Sequence, residues 1–148
     1  MIKFSREFIV KAPLELVAQF HHDARALKWL NPPPILVQFH RVDPLAEGSI
    51  ADFTLWLGPL PIRWKALHSD VHSGRGFSDT QVVGPFKTWT HRHEFTALSK
   101  SSTRVTDTIQ AEHSSHLFWG LLSRFMWLSL PFLFTFRAWQ TRRRCEVQ

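Results

Sequence analysis

Two periodicities divide the chain. From Ile35 to His113 apolar and polar residues alternate, in segments at Ile35 to Val42, Ser49 to Leu57, Ile62 to Val71, Gly76 to Val83, Thr88 to Ala97 and Thr103 to His113. Period-two alternation predicts strands, because successive side chains point to opposite faces of a sheet. The breaks carry turn chemistry, "EGS", "GPLP", "HSGRG", "GPF" and "LSKSS", and connections this short join antiparallel neighbours. Ahead of them, "IKFSREFIV" predicts a mixed strand. "APLELVAQFHH" predicts a helix with Pro13 in its first turn, and "DARALKWL" a second with Asp23 as N-cap. "NPPP" at Asn31 to Pro34 predicts a stiff loop. The expected order is one strand, two short helices, about six strands and a long C-terminal helix, in a single domain over residues 1–148.

The last segment has a different period and a different problem. "LFWGLLSRFMWLSLPFLFTFRAW", Leu117 to Trp139, reads at first like a membrane span. A span needs about 20 apolar residues, and Arg124 and Arg137 interrupt this one. The stretch between them, Phe125 to Phe136, covers only ~18 Å at helical rise. On a helical wheel Phe118, Leu121, Phe125, Leu128, Phe132, Phe136 and Trp139 share one face. The opposite face mixes Gly120, Ser123 and Arg137 with Trp127, Leu130 and Phe134. The expectation is a helix whose Phe-rich face covers the sheet, kinked or split at Pro131, with Arg142 to Arg144 as its solvated end. The apolar back has no assigned partner and leaves room for a lipid surface or a second subunit.

An antiparallel sheet with one covered face sorts its strand residues in two. Ile62, Trp64, Ala66 and His68 oppose Arg63 and Lys65. Trp89, His91, His93 and Phe95 oppose Thr88, Thr90, Arg92 and Glu94. Val105, Asp107, Ile109 and Ala111 oppose Arg104, Thr106, Thr108 and Gln110. In each case the first set is the better candidate for the inside.

Composition narrows the chemistry. Hydrophobic residues make up 44% and charged residues 20% of 148 residues, the balance of a globular domain. Tyr is absent beside 13 Phe and 7 Trp, so polar work inside falls to His, Asp, Glu, Gln, Arg or Trp. The net charge of +6 admits anionic partners, yet no nucleic-acid recognition motif accompanies it and no nucleic acid is expected. The one cysteine, Cys145, allows neither an intrachain disulfide nor a thiolate cluster. The charged N-terminus "MIKFSREFIVKAP" lacks the apolar run of a signal peptide, and a cytoplasmic protein is expected.

The element order, together with "GFSDTQVVGPFKTWTHRHEF" at Gly76 to Phe95 and "RVTDTI" at Arg104 to Ile109, resembles the START/SRPBCC superfamily in its ligand-binding branch. That branch includes polyketide cyclase/dehydrase-like and Bet v 1-like proteins. The resemblance implies an α+β helix-grip fold, a curved antiparallel sheet wrapped around a long C-terminal helix with an apolar cavity between them. It also implies that Asp79, Gln81, Trp89, His91 and Asp107 occupy the family's characteristic positions.

The inward polar set is His68, Asp79, Gln81, His91, His93 and Asp107. Such groups must be paired or wet, which fits a buried network fixing strand register, a ligand site, or both. "HRH" at His91 to His93 places two imidazoles on one face, and a metal reading would take His68 or Asp79 as a third ligand. A bare H-x-H among nine His is weak support, so no metal or cofactor is expected. "HHD" at His21 to Asp23 reads as a solvated turn or the rim of the cavity. The expected function is binding of a hydrophobic or aromatic small molecule or lipid. Phe53, Leu55, Trp64, Trp89 and Phe95 would be walls and Phe125, Leu128 and Phe132 the lid. His68, Asp79, Gln81, His91, His93 and Asp107 would provide the polar end. A cyclase- or dehydratase-type enzyme using a His/Asp pair is the rival, with no catalytic residue assigned. A membrane-surface or protein-interaction module using the apolar back of the last helix is the third class. Oligomeric state and ligand identity are open.

Overall fold

The computed structural model describes residues 1–146. Strand β1 (Ile2–Val10) leads into helix α1 (Leu14–His22), a 3-10 turn (Ala24–Ala26) and helix α2 (Leu27–Leu30). Six strands follow: β2 (Leu36–Val42), β3 (Ile50–Leu57), β4 (Leu60–His72), β5 (Gly76–Val83), β6 (Thr88–Ser99) and β7 (Ser102–Glu112). Helix α3 (Leu117–Cys145) closes the fold. The seven strands form one antiparallel sheet in the order β1-β7-β6-β5-β4-β3-β2. Only β1 leaves sequence order, and it pairs with β7 from Ile2 opposite Ala111 to Val10 opposite Thr103.

The strand faces follow the alternation. Ile62, Trp64, Ala66 and His68 are buried on β4, as are Trp89, His91 and Phe95 on β6 and Val105, Asp107, Ile109 and Ala111 on β7. Their buried apolar side chains fall into two cores. At the closed end Phe8, Val10, Val17, Phe77, Phe95 and Val105 pack with Ala138 and Cys145 of α3. At the other end Phe53, Trp64, Phe86, Trp89 and Ile109 pack with Leu130 and Phe134. Asp23 caps the 3-10 turn, accepting from the Arg25 backbone N–H at 2.9 Å.

Helix α3 is turned over relative to the expectation, and Pro131 does not split it. The helix runs unbroken from Leu117 to Cys145. Its buried residues are Gly120, Ser123, Leu130, Phe134, Ala138, Thr141 and Cys145. Phe118, Leu121, Phe125, Leu128, Phe132 and Trp139 are exposed. Small and polar residues explain the choice of face. Adding a Cβ to Gly120 would bring it 2.7 Å from the Ser114 carbonyl oxygen, so glycine lets the first turn sit against the preceding chain. Ser123 donates to the Gly120 carbonyl and meets His113 Nδ1 at 2.9 Å. His116 caps the helix, its Nδ1 accepting from the Trp119 N–H at 3.4 Å. A face of uniformly large Phe side chains would hold the helix away from a sheet that already carries Trp64 and Trp89.

One backbone position ties the sheet to its polar interior. Gly76 opens β5 at φ +149°, pressed against the carbonyl oxygen of His93 on β6, where no Cβ fits. Gly76→Ala is expected to destabilise the fold by at least about 1 kcal/mol, lowering the melting temperature by roughly 3 °C or more. Thermal denaturation followed by circular dichroism checks it.

Candidate functional site

Between the two apolar cores runs a layer of buried charge. On β6 the order Trp89, His91, His93, Phe95 steps from one core to the other, and Asp79 on β5 and Asp107 on β7 flank the two histidines. His91 lies opposite Asp79, and His93 opposite Asp107. Each imidazole nevertheless donates to the diagonal carboxylate. His91 Nε2 lies 2.8 Å from Asp107 Oδ1, and His93 Nε2 lies 2.8 Å from Asp79 Oδ2. The rings stack with centroids 3.8 Å apart. His93 Nδ1 also lies 3.3 Å from Asp107 Oδ1, out of line for a hydrogen bond, so that contact is one of charge rather than of directed bonding.

The environment sets the protonation states apart. Burial opposes a charge on His93, but the close contact with Asp107, the hydrogen bond to Asp79 and the two carboxylate charges outweigh it and push the imidazole up to about 9. His93 is therefore an imidazolium between two carboxylates. His91 is pushed down by burial and by the neighbouring His93 charge, against the pull of Asp107. It stays neutral, with Nε2–H given to Asp107 and Nδ1 left as an acceptor. Burial also works against ionised Asp107, but the hydrogen bond from His91 and the close, charged contact with His93 hold its carboxyl far below the usual range. His21 donates from Nδ1 to the Val17 carbonyl at 2.8 Å, and burial drives it down to about 4, so it too is neutral. Two carboxylates and one imidazolium leave one negative charge. The half-buried guanidinium of Arg137 balances it, its own pKa lowered by desolvation and supported by Asp107 and Asp79.

This layer forms part of the wall of a cavity of about 380 Å³, within the range of small-molecule sites. Phe53, Leu55, Trp64 and Trp89 line it from the sheet, with His68, Asp79, His91 and His93 among them. Phe125 and Phe132 line it from α3 although both are largely exposed, so they stand at its mouth, facing Pro33 and Pro34. His21 to Asp23 rim or line the cavity rather than forming only a solvated turn.

Four expected contacts lie elsewhere. Gln81 clips the following turn, its Nε2 donating to the Phe86 carbonyl at 2.8 Å and its Oε1 accepting from the Phe86 N–H at 3.1 Å. Phe95 belongs to the closed-end core, its ring tilted against that of His21 at 4.9 Å between centroids. Asp107 sits behind the two histidines and off the lining. Leu128 is 79% exposed on the outer face of α3 and does not line this cavity. It lies on the Phe-rich face, which α3 turns outward.

The sequence reading missed the inner face of α3. Leu130, Phe134 and Arg137 line the cavity, with Ile62, Phe77 and Leu30 from the other elements. Arg137 donates from Nε to the Leu30 carbonyl at 3.2 Å and lies over the Phe134 ring at 5.1 Å. Its two terminal amino groups have no acceptor among the described residues. A signal for it was present: an arginine within an apolar helix is costly unless it has an interior task.

Asp79, His91 and His93 offer ligand atoms within 4.8 Å of one another, close enough for a metal ion. Of the imidazole nitrogens only His91 Nδ1 is free to ligate without first losing a proton or a hydrogen bond, however. His93 Nε2 carries a proton held by Asp79, and a divalent ion would have to displace it.

No family model matches the sequence, and no curated protein matches it. Solved structures do. A Chromobacterium violaceum protein, CV1439, superposes with a TM-score of 0.79 at 13% identity over 99% of each chain. The Zhui aromatase/cyclase from Streptomyces sp. R1128 gives 0.69 at 14% identity, over 99% of this chain and 96% of that one. Ara h 8.0201, of the Bet v 1 type, gives 0.67 at 9% identity, over 95% and 97%. The chain has the helix-grip fold. In helix-grip terms α3 is the gripped helix, β1 to β7 the wrapping sheet, and the cavity the space between them.

The protonation states predict the pH dependence of stability. His93, raised in the fold, contributes stability that is fully present below pH 6.5 and is lost as pH rises through about 9. That contribution is on the order of 3 kcal/mol. His21, lowered, withdraws stability as pH falls from 6.5 through about 4. Stability should therefore peak near pH 6.5. Urea unfolding of wild type and His93→Gln at pH 6.5 and pH 9 checks it, the variant being less stable at both but losing much less between them.

Proposed function

We propose that this is a cytoplasmic binding protein, a carrier or sensor, for a hydrophobic or aromatic small molecule or lipid held between the sheet and α3. One observation carries the reading. A largely apolar cavity of about 380 Å³ has the linked His91, His93 and Asp79 among its lining residues, and Arg137, whose terminal amino groups have no acceptor among the described residues, lines the same cavity. Apolar walls supply affinity with little directionality, and a few convergent polar groups orient the ligand. Arg137 presents donors only, so the ligand's polar end is an acceptor oxygen, of a carboxylate, carbonyl or phenol. The helix-grip fold agrees with ligand binding without naming the ligand.

A second reading, a cyclase- or dehydratase-type lyase or isomerase, has one feature in its favour. His91 is neutral on the cavity wall, oriented by Asp107 through Nε2, which is the arrangement of a general base with Nδ1 as the accepting atom. With a ligand identified by native mass spectrometry, conversion lost in His91→Gln while binding persists would establish that role.

The binding reading is tested with a fluorescent naphthalene sulfonate as probe. Wild type is expected to bind one equivalent saturably, and Leu55→Trp, which fills the cavity, to abolish binding without loss of melting temperature. Arg137→Met should weaken binding of the anionic probe by roughly ten- to a hundredfold while sparing an uncharged naphthalene. Failure of wild type to bind any apolar probe, with nothing small retained on purification from its own host, would remove the proposal.

A further inference from the structure

The outer face of α3 is the least accounted-for surface of the molecule. Leu117, Leu121, Phe125, Leu128, Phe132 and Trp139 follow one another at three- to seven-residue steps along one side of the helix, each between 51% and 81% exposed. A monomeric soluble surface rarely carries a continuous apolar row of this kind. By length and composition α3 alone among the described residues is long and apolar enough to cross a bilayer. Its other face, however, is packed into both cores through Leu130, Phe134, Ala138 and Cys145, so crossing would unfold the domain.

The charges say what covers the row. The charged residues of α3 are Arg124, Arg137, Arg142, Arg143 and Arg144, with no Asp or Glu between Leu117 and Cys145. At its C-terminal end Arg143 lies over Trp139 at 5.4 Å, and Arg144 and Lys28 lie over Trp29 at 3.6 and 4.8 Å. Both tryptophans are partly exposed. Two helices of this kind laid together would bury their apolar rows but offer Arg143 and Arg144 no carboxylate on the facing helix. A layer of anionic lipid satisfies both, taking the apolar row into its acyl boundary and pairing the arginines with phosphates, with the tryptophans at the level between.

We propose that α3 docks the protein flat on an anionic membrane, its Leu/Phe row inserted and Arg143, Arg144 and Lys28 at the headgroups. Phe125 and Phe132 belong to this row and also to the mouth of the cavity. Docking therefore presents the mouth to the lipid phase, where an apolar ligand partitions. The docking stands on the exposed row and its charges, and the loading route alone rests on the cavity reading.

Flotation with vesicles of phosphatidylcholine and phosphatidylglycerol in equal parts tests it, beside vesicles of phosphatidylcholine only. Wild type is expected to float with the anionic vesicles at low salt and much less with the neutral ones. The double variant Leu121→Glu/Leu128→Glu, altered only at exposed positions, is expected to lose at least about tenfold in partitioning with an unchanged circular dichroism spectrum. Arg143→Glu should reduce the preference for anionic over neutral vesicles. Leu55→Trp, with its cavity filled, should float like wild type, which separates docking from ligand binding. The proposal is overturned if folded wild type stays in solution with anionic vesicles, or if the double variant floats as wild type does. It is equally overturned if native mass spectrometry shows a dimer that the double variant dissociates while neither form binds vesicles.

Discussion

Everything else in the domain is arranged around an imidazolium held between two carboxylates. His93 can be charged inside the protein only because Asp79 and Asp107 flank it, and those carboxylates can be buried only because His93 and His91 donate to them. Removing one member leaves a buried charge without its partner, a far larger loss than the net worth of the intact set. The set fixes register as well, because its bonds are diagonal between β5, β6 and β7, and a slip of β6 by one residue would carry both histidines to the wet face and leave both carboxylates unpaired. Arg137 brings α3 into the same electrostatic unit. Helix and sheet thus meet through balanced charge as well as through Leu130 and Phe134.

Most of the sheet was legible from its alternation. Strands with one wet face declare it residue by residue, and the turns between them contain the Gly, Pro and Ser that turns require. The buried pairing of His and Asp was legible in kind, since polar residues on a covered face must find each other. The diagonal choice of partners was not, because it depends on side-chain geometry below the level of register. Gln81 was misplaced for a similar reason: its alternation points inward, but the turn at Gly84 to Phe86 comes within reach and takes both ends of its amide.

Helix α3 shows where hydrophobic patterning loses its meaning. Apolar all round, the helix has almost no directional contrast, and size then suggests that the bulkiest face goes inside. Packing against a sheet that already carries large aromatics asks the reverse. Gly120, Ser123, Ala138 and Thr141 allow close approach at the ends, while Leu130 and Phe134 fill the middle. The apolar back without an assigned partner was the core, and the expected lid became the outer surface.

The way α3 is fastened decides which part of the domain can yield. Its first turns are fixed through Gly120 and the Ser123–His113 contact. Its last turns are fixed by Thr141 and Cys145 in the closed-end core and by Arg142 bonded to the Ile9 carbonyl. The helix behaves as a beam supported at both ends, and the entrance to the cavity lies near mid-span. The facing jaw, Trp29 to Pro34, has polar ties to α3 through Gln140 and Arg137 to the Trp29 and Leu30 carbonyls. The side of the cavity formed by Leu30 to Pro34 is therefore tied to the helix by two side chains of its C-terminal half, Arg137 and Gln140.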